Sequence, residues 1–144
     1  MLVRRLVGGG RACGRHGRRI AALVAELKTR IILAGALFAG SGVALGAFGA
    51  HALRDLFGPQ QTGWWQTAVQ YQMWHAIVLF AIGLAGPPRS GVPALLLGIG
   101  ILLFSGSLYL MAITDLRWLG VVTPFGGTAF IAAWVMLAWQ AFRR

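Results

Sequence analysis

The residues of this chain that could bind or transform a ligand are a few polar side chains within a largely apolar sequence. Two are histidines and six carry hydroxyl or amide groups: His51, Tyr71, Gln72, His75, Ser105, Ser107, Tyr109 and Thr123. Thr67, Tyr71 and His75 recur every four residues, which places them on one face of a predicted helix. Because an ionisable group at membrane depth is by default a candidate for function, we centre the candidate ligand or partner pocket on His75.

The same inventory argues against catalysis and against a metal or haem site. Ser105 or Ser107 with His75 would supply a nucleophile and a base, but no carboxylate in an apolar segment completes the set. Three histidines and the single Cys13 are too few ligands for a metal site. His51 and His75 could share a haem iron only at similar depth, and the predicted helices separate them by about 10 Å. We predict no catalytic residues, no metal and no cofactor.

The composition predicts a membrane protein. The 144 residues are 58% hydrophobic and 11% charged, with a mean hydropathy of +0.72, whereas a soluble domain carries about 25% charged residues. The net charge of +10 could suggest nucleic acid, but eight of the thirteen basic residues precede Ile31. Such a distribution is typical of membrane topology and of contact with anionic lipids. We therefore expect membrane lipids as neighbours and no nucleic-acid partner.

Four apolar stretches are long enough to cross a bilayer as helices. The first, Ile31 to Ala50, is twenty residues without a charge, about 30 Å as a helix, which matches the hydrocarbon core. Trp64 and Trp65 precede the second stretch and are typical of headgroup level. We predict an all-α fold, in which residues 31–144 form one four-helix transmembrane bundle with spans over about 31–50, 66–86, 92–114 and 119–140.

Residues 1–30 are predicted to form a basic N-terminal tail. Glycines 8–10 discourage regular structure, and residues 20–27 have the pattern of a short surface helix. Three interpretations stay open: a genuine tail, a targeting segment, or a start codon assigned too early. We favour a cytoplasmic tail, because the sequence lacks the serine enrichment of mitochondrial transit peptides.

Small residues predict where the helices approach closely. Gly35, Gly42 and Gly46 recur at helical spacing in the first span, and Gly42 and Gly46 form a small-xxx-small step. We predict helix packing at Gly42, Gly46, Gly106, Gly126 and Gly127. The hydroxyl groups of the candidate pocket have a structural interpretation as well, since serine, threonine and tyrosine often join neighbouring membrane helices.

The charge distribution also predicts the orientation. With four spans, the two tails and the turn over residues 87–90 share one side, which holds eleven of the thirteen basic residues. We therefore place both termini in the cytoplasm. Helical rise then puts His51 at the outer interface, His75 and Ser105 near the bilayer midplane, and the remaining candidate residues in the outer half of the bundle.

Several segments resemble those of a known family. They are ALGAFGAHAL (44–53), TAVQYQMWHA (67–76), FSGSLYL (104–110), RWLGVVTPFGG (117–127) and AAWVMLAW (132–139). In order and spacing they resemble an uncharacterised four-span bacterial inner-membrane family that shares its domain with vertebrate transmembrane protein 256. The resemblance implies a multi-pass protein of the bacterial inner membrane with no assigned activity, and it supplies no catalytic residues.

We interpret the chain as a non-enzymatic membrane protein that binds a ligand or a partner as an accessory protein. The partner could be a second membrane protein or another copy of the chain. The alternatives are a small transporter or an intramembrane enzyme that uses His75. Transporters usually show internal repeats and interrupted helices, and only Pro124 interrupts a predicted span here.

The orientation is testable with reporter fusions. Fusions after Arg144 and within residues 87–90 should report a cytoplasmic location, and a fusion near Gly63 should report an external one, because of the asymmetry in basic residues. An external C-terminus would overturn the predicted orientation.

Overall fold

A computed structural model describes residues 10–86 and 90–143, and the side chains of residues 17–86 and 90–143. In these residues the regular structure is entirely helical, and four helices are long and apolar enough to cross a membrane. This confirms the predicted all-α, four-helix membrane fold. The side of the membrane that holds the termini stays a prediction, and the predicted turn at residues 87–89 lies outside the described residues.

The four helices run alternately up and down. The third contains a π-helical turn, Ile101–Ser105, and a 3₁₀ turn, Arg117–Val121, leads into the fourth. The bounds are α1 Gly10–His51, α2 Pro59–Ala85, α3 Gly91–Thr114 and α4 Thr123–Phe142. We call the end of the bundle that holds Arg30 the basic end, and the opposite end the His51 end.

Local signals set the ends of α2 and α3. Gly58 precedes Pro59, whose missing N–H is no loss in the first turn, and Gly58 N–H donates to Gln61 Oε1 at 2.9 Å. Gly86 ends α2 in the left-handed region, with φ of 58°. Asp115 ends α3 in a similar conformation, with φ of 54°, which is uncommon for a residue with a side chain.

The first helix differs from the prediction in its length. A short surface helix over residues 20–27 was expected, but these residues are part of α1, which is continuous for 42 residues from Gly10. Gly8 and Gly9 of the glycine run lie outside the described residues. At 1.5 Å per residue α1 is about 63 Å long, roughly twice the hydrocarbon thickness. It is therefore too long to lie wholly within the hydrocarbon, and the part before Ile31 extends beyond the span.

The helices pack in chain order, α1 against α2, α2 against α3 and α3 against α4. Their core consists of two apolar clusters at different heights. The cluster nearer the basic end contains Ile31, Ala76, Leu79, Ile82, Ala94, Leu97, Ile101, Phe130 and Ala133. The cluster nearer the His51 end contains Ala68, Leu108 and Met111. Between these heights lie the buried polar residues of α2 and α3.

Glycines bring α1 against α2 at several levels. A Cβ at Gly35 would lie 2.5 Å from the backbone nitrogen of Phe80, and one at Gly42 would lie 2.7 Å from the sulfur of Met73. At Gly46 the neighbour is a methyl group of Val69, at 3.3 Å. The closest of these approaches is therefore at Gly35, where backbone meets backbone.

The predicted packing glycines of α3 and α4 behave differently from one another. A Cβ at Gly126 would clash with the backbone of Phe104, whereas one at Gly127 would make ordinary contact with the Phe104 ring. A Cβ at Gly106 would meet nothing within 4 Å in the described part of the chain, so the expected close contact there is not observed. Glycine at 106 therefore has no packing role that the structure explains.

Replacing Gly35 and Gly40 by alanine should give opposite results. Gly35→Ala should lower the free energy of unfolding by about 1–3 kcal/mol, because the added methyl group meets the Phe80 backbone. Gly40→Ala adds its methyl group where nothing lies within 4 Å, and it should stabilise by up to about 1 kcal/mol. Denaturant unfolding of both variants in detergent measures the difference, and equal effects would contradict the close contact at Gly35.

Candidate functional site

Gln72 is the centre of the polar residues that the structure brings together. Its side chain is 4% exposed. Its Nε2 donates to the Phe38 carbonyl at 2.8 Å and to Ser41 Oγ at 2.9 Å, both on α1. Its Oε1 accepts a hydrogen bond from the Tyr109 hydroxyl of α3 at 3.0 Å. One amide therefore links three helices.

Trp65 covers this network on the side of the His51 end. Its indole N–H donates to the Leu45 carbonyl at 3.0 Å, and its ring meets Tyr109 edge-on with centroids 4.7 Å apart. A Cβ at Gly49 would clash with the indole, so this glycine makes room for Trp65 against α1. The indole N–H of Trp65 thus bonds the α1 backbone, and its ring covers the Gln72 network.

His75 is buried and both of its ring nitrogens are occupied. Nδ1 lies 2.7 Å from the Tyr71 carbonyl, which can only accept, so Nδ1 carries the hydrogen. The Trp134 indole N–H donates to Nε2 at 3.5 Å. The ring stacks on Phe130, with centroids 3.5 Å apart and planes 10° from parallel. This arrangement suits a neutral imidazole that holds α2 against α4.

Tyr71 belongs to an aromatic group around His75 rather than to the Gln72 network. Its ring stacks on Phe104 with centroids 4.4 Å apart, and Phe104 in turn contacts Phe130. Four rings from α2, α3 and α4 therefore fill the centre of the bundle. Such a filled centre leaves little space for a ligand beside His75.

A hydrogen bond between Ser107 and Thr123 joins α3 to the first turn of α4. Ser107 Oγ donates to the Phe104 carbonyl at 3.0 Å, and the two hydroxyl oxygens lie 2.8 Å apart. Since the hydrogen of Ser107 is already used, Thr123 is the donor between them. This pair serves as helix-to-helix contact at the start of α4.

Ser105 is the exception among the buried polar groups. It is fully buried, and its Oγ is the one buried side-chain oxygen or nitrogen without a hydrogen-bond partner in the described residues. It is the last residue of the π-helical turn, a type of distortion that is rare and often lies at functional sites. The turn displaces Ser105 from the usual helical register.

The predicted pocket residues are thus divided by the structure. Tyr71, Gln72, His75, Ser107, Tyr109 and Thr123 lie in one layer, but they bond one another, the backbone or other rings instead of lining an open pocket. His51 is exposed at the end of α1, ten residues beyond Ser41, or about 15 Å along the helix. We therefore remove His51 from the candidate site.

Sequence reasoning missed three residues that complete this layer: Ser41, Trp65 and Trp134. A signal was available for Ser41, because it is the only hydroxyl in the twenty-residue first span. The two tryptophans carried no such signal, since a tryptophan near the end of a membrane helix is usually an interface anchor.

A groove that sequence reasoning did not anticipate lies at the His51 end, between α1 and α2. It has a volume of about 530 Å³. Its α1 wall is made of small residues, and its α2 wall includes Thr62, Gln66 and Gln70, which are spaced one helical turn apart. The side chains of Gln66 and Gln70 are exposed and make no hydrogen bond within the described part of the chain.

The described residues contain no group of three His, Cys, Asp or Glu side chains that could hold a metal ion.

Comparison with known proteins gives a family. A family model described as "Protein of unknown function (DUF423)" matches residues 45–127. The UPF0382 membrane protein YwdK of Bacillus subtilis is 42% identical over 122 residues, which cover 81% of this chain and 98% of that protein. The chain belongs to this family.

Other members have names that state their location. The UPF0382 inner membrane protein YgdD of Escherichia coli K12 is 40% identical over 105 residues, 70% of this chain and 80% of that protein. The UPF0382 membrane protein SH2409 of Staphylococcus haemolyticus is 43% identical over 115 residues, 78% of this chain and 94% of that protein. No solved structure matches the chain.

The predicted location is therefore confirmed: the chain is a multi-pass protein of the bacterial inner membrane. The relatives carry no enzymatic name, and their molecular function is not known. The predicted link to vertebrate transmembrane protein 256 stays a prediction.

The energy of the Gln72–Tyr109 hydrogen bond is measurable with a double-mutant cycle. Gln72→Leu should destabilise more than Tyr109→Phe, because it removes the bonds to α1 as well. The coupling free energy between the two sites should be about 0.6 kcal/mol, the average for hydrogen bonds between membrane helices, and at most about 1.7 kcal/mol. Unfolding of the single and double variants in detergent gives this value, and a coupling near zero would contradict the bond.

Proposed function

We propose that this protein has no catalytic activity of its own, and that it binds another transmembrane helix in the groove between α1 and α2. The observation that carries the proposal is the pair of exposed amide side chains, Gln66 and Gln70, in a membrane-spanning helix. The family membership supports a membrane protein, and the choice of a binding role rests on the groove.

The interior supports a role other than chemistry. A catalytic or transporting His75 would need access to a substrate and a free ring nitrogen. Here both nitrogens are hydrogen-bonded and the ring is stacked on Phe130. A transport path through the interior would also need polar groups that face a cavity. The Gln72 side chain instead forms its hydrogen bonds with Phe38, Ser41 and Tyr109. These interactions therefore support a structural role for the polar layer, which is to hold the helices together.

The depth of Gln70 supports a partner outside the chain. Counted back twenty residues from Ala85, the span begins near Gln66, which places Gln70 about 6 Å inside the hydrocarbon. An amide without a hydrogen bond in an apolar medium costs several kcal/mol. Because the described residues supply no bond to it, another molecule is expected to do so.

The facing wall suits a helix better than a small ligand. Gly46, Gly49 and Ala50 line the groove from α1, and small residues let a second backbone approach closely. A helix that enters there can meet this surface and present a polar side chain to Gln66 or Gln70. Glutamine both donates and accepts, so the partner's group can be of either kind.

Site-specific crosslinking in the native bacterial membrane tests the proposal. A photoreactive amino acid in place of Gln66 should give a discrete protein adduct, because the position lines the groove. The same amino acid in place of Val135, an exposed residue of α4 outside the groove, serves as the matched control and should give none. Adding Gln70→Leu should abolish the adduct, since the proposed hydrogen bond from the Gln70 side chain to the partner helix is lost.

The mass of the adduct identifies the kind of partner. A mass twice that of the protein would mean that the partner is another copy, and any other discrete mass would mean an accessory role toward a different membrane protein. Crosslinks to lipid alone, or equal adducts at Gln66 and Val135, would overturn the proposal.

A further inference from the structure

A second groove lies at the basic end, between α1 and α3. It has a volume of about 330 Å³ and an almost wholly apolar lining. Leu27, Ala34 and Phe38 line it from α1, and Gly91, Gly98 and Leu102 line it from α3. The one charged residue in its lining is Arg30. None of the residues that carry the proposed helix-binding site belongs to this groove.

The groove reaches from headgroup level into one leaflet of a bilayer. On α1 it runs from Leu27, which lies outside the predicted span, past Arg30 to Phe38, and on α3 it runs from Gly91 to Leu102. From Arg30 to Phe38 is about 12 Å along the helix axis, which is less than the half-thickness of about 15 Å of a hydrocarbon core. A molecule that fills the groove would therefore be apolar over most of the depth of one leaflet and polar at Arg30.

The charge at the mouth favours a negative headgroup. The Arg30 guanidinium bonds the Glu26 carboxylate at 2.6 Å through one nitrogen, and an arginine has five N–H donors, so capacity for a phosphate remains. Lys28 reaches the C-terminal end of α2, where its Nζ would lie 3.3 Å from a Cβ at Gly86. Both cations are thus at headgroup level on the basic end.

We infer that this groove is a binding site for one acyl chain of an anionic phospholipid, whose phosphate is bound by Arg30. The apolar walls hold the chain by van der Waals contact over most of the depth of the leaflet, and the guanidinium selects the phosphate of lipids that carry net negative charge. This inference is independent of the proposed helix partner, which would bind at the other end of the bundle.

Gly98 offers a direct way to close the groove. A Cβ at Gly98 would meet nothing within 4 Å, so a larger side chain can extend into the groove without a clash at its base. Gly40 on α1 also has nothing within 4 Å, and it lines neither groove. Gly98→Leu and Gly40→Leu are therefore matched variants, in which the same residue is added inside and outside the site.

Native mass spectrometry of the full-length protein tests the inference. The protein is reconstituted in vesicles with equimolar phosphatidylglycerol and phosphatidylcholine of identical acyl chains, and is then extracted in mild detergent. The wild type should retain phosphatidylglycerol over phosphatidylcholine by about fivefold, the contribution of one basic residue at an anionic surface. Gly98→Leu should lose both lipid adducts, and Gly40→Leu should retain both.

Variants at the charged end of the groove test the binding of the headgroup separately from the binding of the acyl chain. Arg30→Gln should reduce the preference for phosphatidylglycerol to near unity and leave the phosphatidylcholine adduct unchanged. Glu26→Gln should raise the preference, because it removes the carboxylate that competes for Arg30. Asp55→Asn removes the same charge in the loop after α1, at the His51 end, and should leave the preference unchanged.

The outcomes decide for or against the site. If Gly98→Leu and Gly40→Leu retain the same lipids, or if Arg30→Gln keeps the wild-type preference, the inference is overturned. Thermal unfolding accompanies each measurement, and if Gly98→Leu does not fold, the more flexible Gly98→Met replaces it. Loss of the lipid adducts with an intact crosslink at Gln66 would separate this site from the proposed helix-binding groove.

Discussion

The constraint on which this structure depends is the cost of a polar group that lacks a hydrogen-bond partner in hydrocarbon, where no water is present to supply one. Gln72 meets it by bonding α1 through Phe38 and Ser41 and α3 through Tyr109. Without these bonds the buried amide would cost several kcal/mol, so the three helices are held at the distances that the bonds allow. The depth of Gln72 thereby sets the register of α2 against both neighbours.

Backbone contact at glycines explains how the bundle holds together without a hydrophobic driving force between helices. Lipid tails are as apolar as leucine, so association depends on close packing and hydrogen bonds. Gly35 brings α1 onto the backbone of α2, and Gly126 brings α4 onto the backbone of α3. The aromatic group around His75 packs in the centre of the bundle between α2, α3 and α4.

The interior of the bundle is filled by side chains, whereas its two grooves are open, and this difference bears on function. Where polar side chains are satisfied internally, as at His75 and Gln72, they stabilise the fold and have no capacity left for a substrate. Gln70 is exposed at membrane depth and has no such bond in the described residues, which is the basis of the proposed helix partner. The proposed binding surfaces of this bundle are therefore its grooves. One is polar beside Gln66 and the other apolar beside Arg30.

The sequence by itself determined the four helices, since their apolar lengths and the positions of proline and glycine are local properties. It also identified most members of the polar layer, because a polar residue in an apolar span is conspicuous. Only the tertiary structure decided that His75 is bonded on both nitrogens, that His51 lies apart, and that a Cβ at Gly106 would meet nothing within 4 Å among the described residues. Those facts depend on the rotation of each helix toward its neighbours, and helical periodicity gives a face without naming what the face meets.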